Sequence, residues 1–516
     1  MLFIVAPTRL VVSARAVASD NRRDVGRHSV TSRTILDKES AMRTIHIVSV
    51  MGASAIATGL LIGCGGYGGN GMSYNMGSPM PTVTIKAPAQ ASAINFGQGV
   101  QLKWTSSNAS SCTAMTSSSM GGAFTGAQAT SGTATVAPTG SGSVTYTLSC
   151  SGAGGMASAT TPMVTVNPSI LSTLSPSGIT TIGLTLDPIE HGGNPYGLTI
   201  APTTAGLITA GDLIVCNFND GATNTQGLGT TIVGLHPTAG ATPYRIADSP
   251  LLQGCNSLTM LSDDSISAAA YSANQNPLIA PNGTVNTPFS ADTFARPWGQ
   301  AYASASGQSG SAALYISNAD GSIDRITLSG DAQNTFTQIA SGFCASGAPG
   351  GIYAPAGLTY DASNDTLYIV DTSSYSVVAF ANVSSIGADG IVVQGQCGAT
   401  SAPPTPVPTF SGASASSARA IANGGPLIAP LSAALLSDGD LIVANSDIGI
   451  SAGQMPNLVV EVSPVLAGGF VGQPVQLDNS GTPGALFGIA ATVDGAGNQL
   501  VYFNDDNTNS VMLLTK

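Results

Sequence analysis

Five segments between Asp212 and Asn504 share one design, a short apolar run that stops on an amide or a carboxylate. They read Asp212-Leu-Ile-Val-Cys-Asn217, Ala313-Leu-Tyr-Ile-Ser-Asn318, Thr366-Leu-Tyr-Ile-Val-Asp371, Asp440-Leu-Ile-Val-Ala-Asn445 and Leu500-Val-Tyr-Phe-Asn504. A sixth, Ser265-Ile-Ser-Ala-Ala-Ala-Tyr271, is a degenerate copy. Ahead of each stands a turn rich in Pro or Gly: Asn194-Pro-Tyr-Gly-Leu198, Gly254-Cys-Asn-Ser-Leu258, Arg296-Pro-Trp-Gly299, Ala354-Pro-Ala-Gly-Leu358, Ala429-Pro-Leu431 and Gly484-Ala-Leu-Phe-Gly488. Behind them come third strands at Thr230-Thr-Ile-Val233, Ile323-Asp-Arg-Ile-Thr327, Val377-Val-Ala-Phe380, Leu458-Val-Val-Glu-Val462 and Val511-Met-Leu-Leu514. Apolar runs this short, bounded by turn residues, are buried strands rather than helices.

A repeat that makes one small sheet cannot bury both its faces alone, and a ring of such sheets solves the problem while removing exposed edges. The expected fold class is therefore all-β, with a six-bladed β-propeller over residues 168–516. The chain ends on a third strand, so the last blade should borrow its outer strand from Thr180–Leu186, ahead of the first blade. Composition agrees: 63 Gly and 30 Pro punctuate the chain too often for long helices, and 43% hydrophobic residues suffice to order it.

Only 8% of residues are charged, and they are unevenly spread. Before Cys64 stand eight Lys/Arg and four acids, leaving seven basic against 23 acidic residues after it, a net of −16. Such a body supplies no counter-charge to nucleic acid or to anionic lipid, so nucleic acid is not an expected partner. Residues 42–63 hold one Arg and a short apolar run ending in Leu61-Ile62-Gly63, which reads as a secretory signal rather than a permanent span. Leu61-Ile62-Gly63-Cys64 resembles the lipobox of bacterial lipoproteins. That resemblance implies lipidation of Cys64, a membrane anchor through the lipid, and an address in the cell envelope as an outer-membrane lipoprotein; an ordinary signal peptide or uncleaved anchor is the alternative. Residues 1–41 read as a non-structural extension or an early start, and Gly-rich 64–80 as a flexible tether.

Residues 81–167 switch to short alternating runs, such as Val100-Gln-Leu-Lys-Trp104 and Val144-Thr-Tyr-Thr-Leu-Ser-Cys150, the period of a β-sandwich. Trp104, Cys112 and Cys150 resemble bacterial Ig-like modules, which implies a Cys112–Cys150 disulfide and a spacer or adhesion role. Tyr146 stands four residues before Cys150 rather than two, so an antibody-type tyrosine corner is not expected.

The wording P-x-G-L followed by L-Y-I-V-D resembles NHL-repeat propellers. More closely, Asn194-Pro-Tyr-Gly197, Cys216-Asn-Phe-Asn219 and Gly227-Leu-Gly-Thr-Thr-Ile232 are similar to the first blade of a group of exported bacterial NHL-like proteins. Four further cysteines fall in this part, Cys216, Cys255, Cys344 and Cys397. Cys216 ends a second strand and Cys255 begins the next blade, while Cys344 and Cys397 are expected in loops joining successive blades. Cys216–Cys255 with Cys344–Cys397 is the preferred pairing of the three that four cysteines allow.

Chemistry is harder to find. His191 and His236 are the histidines beyond Cys64, and both lie beside turn signals. The polar residues closing the second strands, Asn217, Asn318, Asp371, Asn445 and Asn504, could converge on one mouth of the channel and hold Ca²⁺ as in gluconolactonase-type propellers; an Asn or Asp there also caps a turn. Virginiamycin B lyases carry similar blades but need a catalytic His that has no recognisable counterpart here. No catalytic residue is assigned and no cofactor is required. Two functions are therefore expected: a binding or scaffold propeller for an unknown protein or small-molecule ligand, and a Ca²⁺-dependent lactonase- or lyase-like enzyme.

Overall fold

The computed structural model describes residues 77–87, 93–289, 294–305, 311–329, 334–345, 355–395, 397, 407–446, 455, 457–465, 468–478 and 486–516. Cys64 and the expected signal segment lie outside the described residues.

The described chain is all-β apart from a few single-turn helices. From Thr180 onward it forms six sheets, antiparallel but for one added strand in the third. Blade 1 is built from Gly193–Ile200, Leu213–Asn219, Thr231–Leu235 and Tyr244–Asp248. Blade 3 (Pro297–Ala303, Ala313–Asn318, Ile323–Thr327, Thr335–Ser341), blade 4 (Pro355–Asp361, Thr366–Asp371, Ser376–Ala381, Ala418–Asn423) and blade 5 (Pro430–Leu435, Leu441–Asn445, Leu458–Val462, Phe470–Gln476) repeat the plan. Blade 2 has the degenerate second strand, Ile266–Ala270, and its two outer strands shrink to two residues each, Leu278–Ile279 and Val285–Asn286. Blade 6 holds Ile489–Val493, Gln499–Asp505 and Ser510–Leu514, and its outer strand is Thr180–Leu184, paired antiparallel with Ser510–Leu514. The innermost strands neighbour one another in chain order, and that of blade 6 returns to that of blade 1, which closes the ring.

The core is divided to match. One apolar cluster fills each junction, from Ile214 and Leu258 between blades 1 and 2 round to Ile182, Val215 and Tyr502 between blades 6 and 1. Every second strand is thus packed on both faces, which is why those strands read as unbroken apolar runs: all residues of Leu213–Asn219 and of Thr366–Asp371 are buried.

The Pro-x-Gly signature has a mechanical reason. In blades 1, 3 and 4 the register of the innermost strand shifts across it, between Pro195 and Leu198, Pro297 and Gln300, and Pro355 and Leu358. The bulge presses adjacent innermost strands together. A Cβ on Gly299 would lie 2.0 Å from the Ala356 carbonyl oxygen, and one on Gly488 2.5 Å from that of Tyr196. Glycine is required there by the neighbour's backbone.

Blade 4 carries an excursion between its third and fourth strands. Ile391–Gln394 and Thr409–Ser411 leave it and extend the sheet of blade 3, the first pairing parallel with Thr335–Ser341. Cys397 sits in this excursion, not in a loop joining two blades, and bonds back to Cys344 after blade 3. Cys216–Cys255 joins blades 1 and 2.

Residues 82–166 form a sandwich of two main sheets with a small third, Gly142–Val144 paired with Val164–Val166. One sheet holds Thr82–Lys86, Val100–Ser107 and Ser131–Val136; the other holds Gly126–Gln128, Ser111–Thr116, Tyr146–Gly152 and Gly155–Thr160. Leu102 and Trp104 from the first pack with Ala114, Tyr146 and Leu148 from the second. Trp104 meets Phe124 edge-on at 5.4 Å, and its indole N–H donates to the Ala129 carbonyl at 2.9 Å. Cys112 and Cys150 are bonded, but as register partners on adjacent strands of one sheet. In antibody domains that bond crosses between the sheets. The Tyr146 hydroxyl is buried without a hydrogen-bond partner, which agrees with the missing tyrosine corner.

Candidate functional site

The innermost strands enclose a channel of about 260 Å³, lined at successive levels by equivalent positions of the six blades. The residue after each turn forms the first level: Tyr196, Asn256, Trp298, Leu431 and Phe487 line the space, with Ala356 buried beside them. Phe218, Tyr196 and Phe487 stack in series with ring centres 4.2 and 3.7 Å apart, and Trp298 stands edge-on to Tyr271 at 5.4 Å. This aromatic block lies where the innermost strands begin. Toward the other end of the strands the lining turns polar and half-buried, with Thr259, Tyr302, Thr359 and Tyr360.

The lining contains no Asp, Glu, Lys, Arg or His among the described residues. Its chemistry is therefore hydrogen bonding and ring stacking. Gln300 is fully engaged, donating to the Ser257 and Ser267 carbonyls and accepting from the Ser267 hydroxyl. Two other lining atoms are buried and unpartnered, Asn256 Oδ1 and Ser432 Oγ.

None of Asn217, Asn318, Asp371, Asn445 and Asn504 lines this channel. Asn217 donates to the Thr185 carbonyl and the Thr231 hydroxyl, Asn318 to Ser322 Oγ and Asp324 Oδ2, and Asn445 to the Pro426 carbonyl. Asp371 accepts from the Ser373 amide and the Ser374 hydroxyl of its own turn, and burial pushes its carboxyl up despite them. Asn504 donates to the Tyr196 carbonyl of the next blade at 3.1 Å. No hydrogen bond joins any two of the five, and the amide oxygens of Asn217, Asn445 and Asn504 are buried and unpartnered. As a set they fit turn and seam duties better than a shared ion.

Seam duty recurs around the ring, and sequence reasoning missed it. Asn256 donates to the Pro297 carbonyl, Ser317 to that of Ala356 at 2.7 Å and Thr372 to that of Pro430 at 2.7 Å, while the Cys216–Cys255 bond spans the first junction. Each clip sits next to or on a second-strand terminus, or on the innermost strand that follows. The signal was a buried Ser or Thr beside the repeated Asn or Asp.

His191 lies in a turn with φ of +58°, and His236 is mostly exposed with its Nδ1 2.6 Å from buried Asp212 Oδ1. Neither reaches the channel lining. Arg296 stacks over Tyr271 with its guanidinium 5.5 Å from the ring centre. A second polar cluster lies on blade 5, where Asp438, Asp440 and Glu461 face one another. Burial pushes the Asp440 carboxyl up to about 7 and that of Glu461 to about 8, the latter opposed by the Leu171 and Ile170 amides and reinforced by both aspartates.

Fold and channel together define a class, an all-β protein whose six-sheet ring encloses a narrow uncharged channel. Solved propellers resemble it over about two thirds of the chain. Virginiamycin B lyase from Staphylococcus aureus is 14% identical, covering 66% of this chain and 99% of its own, with a TM-score of 0.38. Regucalcin, a calcium-binding protein from Agrobacterium tumefaciens, is 14% identical over 65% and 95%, with a TM-score of 0.39. A gluconolactonase from Xanthomonas campestris is 13% identical over 62% and 95%, with a TM-score of 0.36. Likeness at this level carries nothing about activity; the architecture rests on the order of the sheets. No family model and no curated protein matches the chain.

Proposed function

We propose that the chain is a cell-envelope lipoprotein, anchored through Cys64, whose propeller binds a small uncharged ligand in its channel and whose Ig-like sandwich acts as a spacer. The observation that carries the binding reading is the pair of buried, unpartnered lining atoms, Asn256 Oδ1 and Ser432 Oγ, in a lining that also holds aromatic rings. An unpartnered buried polar atom costs about 1–3 kcal/mol, a cost that a ligand hydroxyl or amide would relieve. A flat neutral molecule with hydroxyl groups, of the kind a monosaccharide presents, suits such a site. Three disulfides support an oxidising, extracytoplasmic address.

Binding is tested with a panel of neutral sugars followed by tryptophan fluorescence, since the chain has two Trp and Trp298 lines the channel. A saturable change that Asn256→Leu and Ser432→Ala each weaken supports the reading. Absence of saturable binding by any sugar sinks the ligand class. The address is tested by palmitate-analogue labelling of cells with Cys64→Ser, where unchanged labelling removes the anchor.

A further inference from the structure

The turn Ser437-Asp438-Gly439-Asp440 leads into the second strand of blade 5, Leu441–Asn445, and Glu461 lies on the facing third strand, Leu458–Val462, opposite Ile442. One carboxylate oxygen from each of Asp438, Asp440 and Glu461 lies within 4.8 Å of the others. Asp440 is 5% exposed and Glu461 fully buried. The ion pairs among the described residues involve none of the three.

The cluster is partly tied off from within. Asp438 Oδ1 accepts the Asp440 amide at 3.1 Å, and the two oxygens of Glu461 accept the Ile170 and Leu171 amides at 3.1 and 2.5 Å. A second observation points to a missing partner. Asp440 Oδ2 is buried and has no hydrogen-bond partner apart from the Ser463 hydroxyl beside it, and Ser463, a fully buried side chain, has no other partner for that hydroxyl. Three carboxylates and a hydroxyl therefore converge, and a positive charge among them would offset the buried carboxylate oxygens.

From this convergence of Asp438, Asp440, Glu461 and Ser463 we infer a binding site for a hard divalent cation, Ca²⁺ in preference to transition metals. The donors are oxygens only, with no imidazole or thiolate among them, and Ca²⁺ tolerates irregular oxygen cages completed by water. None of these residues belongs to the channel lining, and the site stands independently of the ligand proposed there. It also has a structural consequence. Glu461 holds the first turn of the short helix Ile170–Thr173, in the segment between the sandwich and blade 1, so an ion fixing Glu461 would fasten that segment to blade 5.

The test uses the full chain, stripped with chelator and titrated with Ca²⁺ and then Mg²⁺ by calorimetry, with Tb³⁺ luminescence as a second probe. The expected result is one ion per chain, at least tenfold weaker binding in both Asp438→Asn and Asp440→Asn, and slower hydrogen exchange at the Ile170 and Leu171 amides when Ca²⁺ is present. Asp438 is only partly buried, and asparagine can still accept the Asp440 amide, so its variant should fold even if the other does not. No uptake at millimolar Ca²⁺, or uptake that Asp438→Asn leaves unchanged, overturns the site.

Discussion

Asn504, in the last blade, donates its side-chain amide to the carbonyl of Tyr196, in the first, at 3.1 Å and lies within 3.4 Å of that of Gly197. The contact spans the seam where a chain about to end meets the start of its own ring. Thr180–Leu184 closes the same seam at the outer edge. Closure is therefore secured twice, by one buried side chain inside and one borrowed strand outside.

Asn504→Ala leaves the Tyr196 carbonyl buried without its donor. The expected cost is about 1–3 kcal/mol in unfolding free energy, read by urea denaturation. Asn504→Asp should cost more, because a carboxylate would then face two carbonyl oxygens. Equal stability of the alanine variant and wild type would show that the outer strand alone holds the seam.

At the neighbouring junction a covalent bond does the work of the amide. Cys216 and Cys255 are 39 residues apart and join blades 1 and 2. Replacing both with Ser should lower stability by about 2–5 kcal/mol under oxidising conditions. The loss should vanish when wild type is measured fully reduced, and a loss that persists would assign it to packing of the two sulfur atoms.

The ring could be read from the sequence because each blade is a self-contained unit with its own punctuation. Buried second strands give unbroken apolar runs, and the x-Gly bulge recurs because backbone from the next blade fills the space a Cβ would need. The fourth strands were not legible: Tyr244–Asp248 and Phe470–Gln476 are bulged and half exposed, so neither alternation nor an apolar run survives. The acidic cluster was hidden for another reason. It assembles a turn, a third strand and amides some 290 residues away, and the sole local hint is a lone Glu inside Leu-Val-Val-Glu-Val. The row of second-strand amides drew attention to a channel mouth, whereas the lining is supplied by the innermost strands.

Asp187 and Arg245 tie the approach to blade 1 onto its outer strand. The Arg245 Nε donates to Asp187 Oδ2 at 2.9 Å, its second nitrogen to Oδ1, and the amides of Ile189 and Glu190 complete the carboxylate. Burial alone would raise this carboxyl, but the guanidinium and the amides outweigh it and hold it below the usual range. A depressed folded-state pKa gives stability that is present above the unfolded value, about 3.9, and is lost as pH falls through the folded one. Arg245→Ala should cost about 3–5 kcal/mol at neutral pH, by leaving a buried charge uncompensated, and should blunt the acid limb of the stability curve.

Asp324 makes the opposite prediction. It is 8% exposed and accepts the Asn318 amide at 2.7 Å; burial pushes its carboxyl up to about 6, against the pull of Asn318 and with help from Asp320. Because the folded-state value exceeds the unfolded one, its contribution is fully present below about pH 4 and is lost as pH rises through about 6. The span of about two pKa units corresponds to roughly 3 kcal/mol given up by pH 7. Asp324→Asn keeps an acceptor for Asn318 without the charge, so the variant should be more stable than wild type at pH 7 and no more stable at pH 4. Thermal melts of both proteins across pH 4–8 provide the measurement. Parallel curves across that range would mean that Asp324 keeps its ordinary pKa, through water reaching it or a cation beside it.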